Sequence, residues 1–559
     1  MPREPRVPFY RLGEDNATDE VVAEVFASVE EPAGGERRVV GPPAGMVAVR
    51  VADLSDTGHG RGGGALVAAG GSGLVGGEAV VFCHPVLSAP TVIRRDGRVQ
   101  AEGWLPDQVR LGILEQHLGF GVIERLVGDP GLGTRPGVRR RAMSLALTAR
   151  FTLAMTLLPE AAYPEVMARL VGLLPRVPWR KVWRLPGAKV VTAWRRRLGP
   201  ALMRQLFHEV VGLIDPAPDW CGLVVCAVDG FHARLADSPA NRERFGSVGT
   251  ADDSAGFPAL RSVIATAAQG RATLAATVDA ANVGEQTLLL RLVTEHPEVF
   301  GAGRVFCMDR NFPGHTLIDR IRECGAHLVM RIKSDITLTL IEWLPDGSYR
   351  AWLGKDHPRL VRVVEYDVDV PGGVSELFCL ATTLLDDKTH PAAAICQVYP
   401  KRWTASETTI GENKSLITDA GPSRGPILRS GEPELVMQEF YAWLAAAHLV
   451  RQAAYAATHH ATRRPVEGGQ VSFTATRHEA TRSITQTLVT ATTSLDALAT
   501  AAEQVSRAVL TRLVTPRRDR HSDRRRKHQP RFPQSKQTTP TIRGKTTVNL
   551  SRSPVHAET

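Results

Sequence analysis

Two short apolar runs each close on an aspartate: "LVVCAVD" ends at Asp229 and "RVFCMD" at Asp309. A carboxylate at the end of a buried strand is unfavourable unless it is hydrogen-bonded or meets a cation. Two such ends in one sheet, with a third carboxylate from a helix downstream of Asp309, could hold two Mg²⁺ ions about 3.5 to 4 Å apart, the arrangement for in-line phosphoryl displacement. Taken singly, each aspartate has another explanation. Asp229 precedes Gly230 and Asp309 precedes Arg310, so a turn or a local ion pair would account for either one. Asp237, Asp252, Asp253, Glu285 and Asp319 read as turn or helix-face residues without a catalytic role.

The elements that would position these carboxylates follow from the periodicity. Between 222 and 333, "GLVVCAVD", "LRSVIATAAQ", "ATLAATVDA", "RVFCMD" and "HLVMRIK" read as buried strands, and "GEQTLLLRLVTEH" and "HTLIDRIREC" as helices. Three strands, then helix, strand, helix, strand, describe a mixed sheet covered by helices. Residues 335–396 read as a β-rich insertion with "PDGS" and "PGG" turns, and 432–515 turn helical again. Upstream, 107–214 carry apolar residues at helical spacing. There, "YPEVMARLVGLL", a Pro-containing turn and "GAKVVTAWRRRLGPALMRQLF" could form a helix-turn-helix that sets Arg195, Arg196 and Arg197 against DNA. A plain helical bundle with a solvated basic face is the other reading.

At 559 residues the chain is long enough for more than one domain. Lys and Arg number 68 against 58 Asp and Glu, and the pI is near 9.4, which favours polyanionic partners over acidic proteins or small neutral substrates. The seven cysteines include no CxxC pair, which argues against a zinc ribbon or dithiol chemistry and for reduced thiols. The apolar stretch "MSLALTARFTLAMTLL" is interrupted by Arg150 and is too short for a bilayer, and "MPREPRVPFYRLGEDN" lacks the apolar core of a signal peptide. A soluble, cytoplasmic protein without a membrane partner is expected. Residues 1–105 are rich in Gly, Pro and Val and predict little packed structure. Their two GxGxxG strings, Gly58-Gly60-Gly63 and Gly71-Gly73-Gly76, lack a strand-turn-helix context and read as chance. The basic, Pro-punctuated residues 516–559 read as a disordered arm, either adding non-specific DNA affinity or without function.

Six motifs then come in a telling order: "VDG" at 228–230, "RLADSPANRERFG" at 234–246, "GFPALR" at 256–261, "GEQT" at 284–287, "MDRNF" at 308–312 and "RIKSD" at 331–335. In this order they resemble the DDE transposases of bacterial insertion sequences, nearest to the insertion-element-four family with its helical N-terminal domain, over roughly residues 110–480. The resemblance implies an RNase-H-like core in which Asp229, Asp309 and one helical glutamate bind divalent metal, two Mg²⁺ with Mn²⁺ able to substitute. It also implies a signature of Tyr, two residues, Arg, three residues, Glu, six residues, Lys. Tyr399 and Arg402 match, but the next expected position is Ser406; Glu407 comes one residue late, and Lys414 follows at the family interval. Asn311 stands where the family usually has Gly, and Asn tolerates the same left-handed turn.

Seven residues make about 700° of helix, so Glu407 and Lys414 share a face, whereas Glu412, about 500° from Glu407, points elsewhere. Glu407 is therefore read as the third metal ligand, with Tyr399, Arg402, Lys414 and Arg310 as DNA contacts beside Arg195 and Arg196. Trp352 or Trp343 is read as the platform for a base flipped out in a hairpin route, or else as a packing aromatic. The organisation expected is a Gly/Pro-rich extension (1–105), a helical DNA-binding domain (106–215), an α/β catalytic domain of RNase-H-like mixed sheet and helices (216–450, with 335–396 as insertion), a helical C-terminal region (451–515) and a basic tail (516–559). The function expected is cut-and-paste transposition: binding the terminal inverted repeats of an insertion sequence as a homodimer, then cutting and joining to target double-stranded DNA at the bacterial nucleoid. A decayed copy that only occupies the element ends as a repressor, and a nuclease of the same fold, are the alternatives.

Overall fold

The computed structural model describes residues 109–514, except 120, 136–142, 173–182, 248–255, 313, 334–335, 357, 370–375, 418–426, 462–465, 467 and 492–494, and the backbone of short strands on either side of that span. The chain divides into two compact units, Met1–Leu202 with Arg477–Ala508, and Met203–Thr476 with Val509–Thr559.

In the first unit, helices α1 (Ile113–Leu118), α2 (Val122–Gly128), α3 (Leu145–Leu157) and α4 (Tyr163–Val171) follow the predicted period. Ser144 starts α3 by accepting the Leu147 N–H on its side chain, the usual way to satisfy a donor of the first turn. Every residue of α3 is buried, including Arg150. That charge is held by Glu115 of α1 and by Glu124 of α2 at 2.8 Å, so the arginine that interrupts the apolar run ties three helices together. The segment read as one helix from 188 is α5 (Ala188–Val211), and it breaks at Gly199, φ +70°, just before Pro200. Proline disfavours a helical residue before it and offers no N–H, so Gly199 takes the turn. Most of the connection between α4 and α5, on which the helix-turn-helix reading depends, lies outside the described residues.

Residues 1–105, read as having little packed structure, include the short strands Tyr10–Leu12, Ala23–Val25, Val47–Val51, Ser72–Val75 and Glu78–Cys83, which share one sheet. Of the two GxGxxG strings only Gly73 falls on a described strand.

The second unit contains one large mixed sheet. Its strands are β1 (Val224–Leu235), β2 (Ala259–Ala267), β3 (Thr273–Ala280), β4 (Arg304–Met308), β5 (His327–Arg331), β6 (Leu338–Trp343), β7 (Tyr349–Leu353), β8 (Arg359–Asp369) and β9 (Glu376–Thr382). They lie in the order β3-β2-β1-β4-β5-β9-β8-β7-β6. β1, β4 and β5 are parallel and the other pairs in this path antiparallel. This is the RNase-H-like mixed sheet that the resemblance implies, and the β-rich insertion widens it instead of standing apart, because β9 pairs directly with β5.

Strand alternation splits the core into two layers. On one face Cys226, Val228, Phe306 and Met308 meet Leu288 and Leu289 of α7 (Glu285–Glu295) and Ile318 and Ile321 of α8 (His315–Cys324). On the other, Val225, Val305 and Cys307 meet Ile395 and Val398 of α9 (Ala392–Val398) and then Tyr399. A π-helix (Trp403–Glu407) and α10 (Thr408–Ile417) continue from α9. The largely buried α11 (Pro433–Thr458) braces α10, its Trp443 indole donating to the Asn413 carbonyl at 2.6 Å. From the arm read as disordered, Thr547–Leu550 adds antiparallel to β8. The six cysteines among the described residues are free thiols, and no helix among the described residues is long and apolar enough to cross a membrane.

Candidate active site

β1 and β4 pair in parallel from Val224 opposite Arg304 to Ala227 opposite Cys307. Carrying that register two residues further sets Asp229 level with Asp309, with the same parity as Val225 and Cys307, and so on the face that α9 covers. The sequence places Asp229 at a strand end; the strand instead runs on to Leu235, paired with β2, and it is β4 that stops, at Met308. The carboxylates therefore sit where the sheet opens between a continuing strand and an ending one. Each accepts the backbone N–H of the residue that follows it: Asp229 from Gly230 at 2.8 Å, within β1, and Asp309 from Arg310 at 2.7 Å, in the turn after β4. Burial pushes the Asp229 carboxyl above its ordinary value and the neighbouring charge of Asp309 adds to this, while Arg402 opposes it.

The third arm resolves the one-residue insertion between Arg402 and Glu407. In an α-helix the extra residue would rotate Glu407 by about 100° off the face of Arg402. The chain forms a π-helix at this place, closed by the Thr408 N–H donating to the Trp403 carbonyl five residues back. A π-turn absorbs one added residue without turning the rest of the helix. Arg402 thus lies 3.6 Å from the Glu407 carboxylate and 3.8 Å from that of Asp229. Ser406, at the position where the family spacing calls for glutamate, is buried with its hydroxyl 3.3 Å from Asp229. Glu412 is turned away: Arg271, at 2.6 Å, and Arg451 both bind it. Glu407, 54% exposed, borders a groove of about 1010 Å³ shared with Lys401, Thr404 and Tyr455.

Several residues read as DNA contacts have other surroundings. Tyr399 is buried, with burial pushing its phenol up to about 12, and its hydroxyl donates to the Met308 carbonyl at 3.4 Å. It holds the end of β4, next to Asp309, instead of reaching outwards. Arg402 is also buried, its guanidinium 4.9 Å from the Trp403 ring and turned towards the two carboxylates; its Nε is buried without a hydrogen bond. Arg195 is buried in the helical unit and donates to the Tyr163 hydroxyl at 2.6 Å, whereas Arg196 beside it is exposed. These three placements have one cause: a guanidinium or phenol with a long apolar body packs inward when an acceptor is waiting there.

The remaining candidates lie nearer the surface. Lys414 is half-buried 5.6 Å from the Phe231 ring; burial lowers its pKa and the charge of Asp229 counters that. Arg310 is exposed and, with Arg331 and Lys333, borders a groove of about 800 Å³. Trp352 on β7 is 42% exposed, whereas Trp343 packs 4.8 Å from Tyr349.

Glu285, to which the sequence reading gives no role, stands beside the aspartates. It is the first residue of α7, and a Cβ on Gly230 would lie 2.6 Å from its carboxylate oxygen. Burial pushes its carboxyl up; Arg261 opposes this, and the charges of Asp229 and Asp309 reinforce it. The motif "GEQT" already pointed to the place, but one sequence cannot show which strand a helix start meets. Among the described residues no three carboxylates, imidazoles or thiols converge on one point as a formed metal site. Asp229 and Glu407 are bridged instead by the Arg402 cation.

A family model of the transposase DDE domain matches residues 220–421, and one of the insertion element 4 transposase N-terminal region matches 108–208. Among curated proteins the chain is 25% identical over 354 residues to the transposase InsG for insertion sequence element IS4 of Escherichia coli (strain K12), covering 60% of this chain and 75% of that protein. Among solved structures, a cryo-EM structure of the piggyBac transposase synaptic complex with hairpin DNA aligns at 10% identity and a TM-score of 0.37, over 70% of this chain and 84% of that one.

Proposed function

This chain belongs to the insertion-element-four family of DDE transposases, and from that premise we propose that it cuts and joins DNA at the ends of an insertion sequence using Asp229, Asp309 and Glu407. The observation that carries the reading is the shared register of Asp229 and Asp309, with a π-helix that keeps Glu407 3.6 Å from Arg402, itself 3.8 Å from Asp229. The donors are all carboxylate oxygens, a hard set suited to Mg²⁺ or Mn²⁺, and the Arg402 guanidinium lies as a cation between two of them. When bound, such ions activate water or a 3′-hydroxyl and stabilise the departing oxygen.

The chain's own residues supply orientation and charge. The Gly230 N–H and the Ser406 hydroxyl fix the Asp229 carboxylate, and Tyr399 fixes the strand end before Asp309. Arg310, Arg331 and Lys333 line a basic groove that suits a phosphodiester backbone, and Arg196 offers the helical unit a further phosphate contact. Exposed Trp352 offers a face on which a flipped base can stack in a hairpin route. Two copies acting together would bring the two terminal inverted repeats into one synaptic complex.

The test is Mg²⁺-dependent cleavage of a duplex carrying the element's terminal repeat. Asp229→Asn and Asp309→Asn should each abolish cutting while repeat binding in gel shift persists. Undiminished cutting by both variants would overturn the assignment.

A further inference from the structure

The first turn of α7 is fastened beside both aspartates. Its Gln286 amide donates at 2.8 Å to the carbonyl of Asn311, two residues after Asp309. Its Glu285 lies over the Cα of Gly230, the residue after Asp229; a Cβ there would come within 2.6 Å of Oε1 and 2.8 Å of Cδ. Glycine at 230 is therefore what lets this carboxylate in. An acidic residue in the first turn favours a helix by itself, because the N-terminus carries partial positive charge. That benefit is equally available to a side chain turned to water, and it does not call for a third negative group beside two others, which is unfavourable without a shared cation. The nearby Arg261 guanidinium donates to the Val283 carbonyl and the His232 ring, both at 2.9 Å, and its charge offsets that of Glu285 only in part.

We propose that Glu285 is a fourth carboxylate of the site, a positioning residue that strengthens the hold of Asp229, Asp309 and Glu407 on divalent cations, and that Gly230 is required to admit it. The inference rests on the metal-binding reading of those three residues. Removing an outer carboxylate typically weakens a metal site by about 10- to 100-fold.

Titration calorimetry of the full chain with Mn²⁺, without DNA, tests this independently of cleavage. Glu285→Gln should weaken Mn²⁺ binding by about 10- to 100-fold, and Glu285→Asp, which keeps the charge, by less. Gly230→Ala should weaken binding in the wild-type background but add little to Glu285→Gln, since both remove the same carboxylate from the site. Asp229→Asn is run alongside. If Asp229→Asn loses Mn²⁺ while Glu285→Gln binds within twofold of wild type, the role of Glu285 is wrong and the triad stands. If Asp229→Asn also binds as wild type, the triad reading itself falls. Should Glu285→Gln fail to fold by circular dichroism, Glu285→Asp and Gly230→Ala carry the test, and wild-type affinity in both overturns the proposal.

Discussion

Glu407 and Glu412 sit five residues apart in one helical run and meet opposite fates. Glu407 is more than half exposed and lies 3.6 Å from the buried Arg402 guanidinium. Glu412 is 15% exposed and held by two arginines. A solvated charge contributes little to stability, whereas taking the carboxylate from between two largely buried arginines costs about 3–5 kcal/mol. The two glutamine variants should therefore separate function from fold. Glu407→Gln should melt as wild type and lose cleavage on the order of 10⁴-fold, the scale of removing one member of a catalytic set. Glu412→Gln should melt several degrees lower, and whatever protein stays folded should still cut. A thermal melt and a cleavage time course on both proteins check this, and the reverse pattern would mean that the glutamates have been exchanged.

The helix that carries Glu407 is anchored from a distance. Asp346, in the turn between β6 and β7, accepts the Ala392 N–H at the start of α9 at 2.7 Å, and also the Ser348 hydroxyl at 2.6 Å and the buried Arg362. Burial works against ionisation of Asp346, but these hydrogen bonds and the charge of Arg362 prevail and hold its carboxyl below the ordinary value. Its stabilisation is thus fully present above the ordinary carboxylate pKa and is lost as pH falls through the depressed value. Asp346→Asn should lower stability near neutral pH, with the gap to wild type closing as acid protonates the native residue; denaturant melts across acidic pH measure it. This anchor also marks how far the sequence could be read. The strand that carries Asp229 and the one that ends before Asp309 are legible because a buried strand carries its own apolar run, though the continuation of β1 to Leu235 is not, and "PDGS" is legible as a turn. That Asp346 caps a helix 46 residues on, that Tyr399 grips Met308 across 91 residues, and that Glu285 enters over Gly230 depend on which elements become neighbours, and no local spacing encodes that. The π-helix is an intermediate case: the extra residue is visible in the sequence, but not where the helix would absorb it.

At the scale of the whole molecule, a formal charge of +10 makes part of the DNA affinity sequence-independent and sensitive to salt. The three consecutive arginines of α5 look equivalent in sequence, yet the fold divides them: Arg195 is buried against Tyr163, while Arg196 and Arg197 are exposed. Only an exposed arginine can displace counterions from a phosphate, and each phosphate neutralised adds about 0.9 to the slope of log affinity against log salt. Arg196→Ala should therefore weaken repeat and random DNA alike and lower that slope by about one. Arg195→Ala should leave the slope alone and lower the melting temperature, since it strips a packed side chain and the hydrogen-bond partner of Tyr163 from the helical unit. Fluorescence anisotropy on both variants from about 50 to 200 mM salt, beside their thermal melts, makes the comparison. A slope that falls for Arg195→Ala and not for Arg196→Ala would mean that DNA meets the other side of this helix.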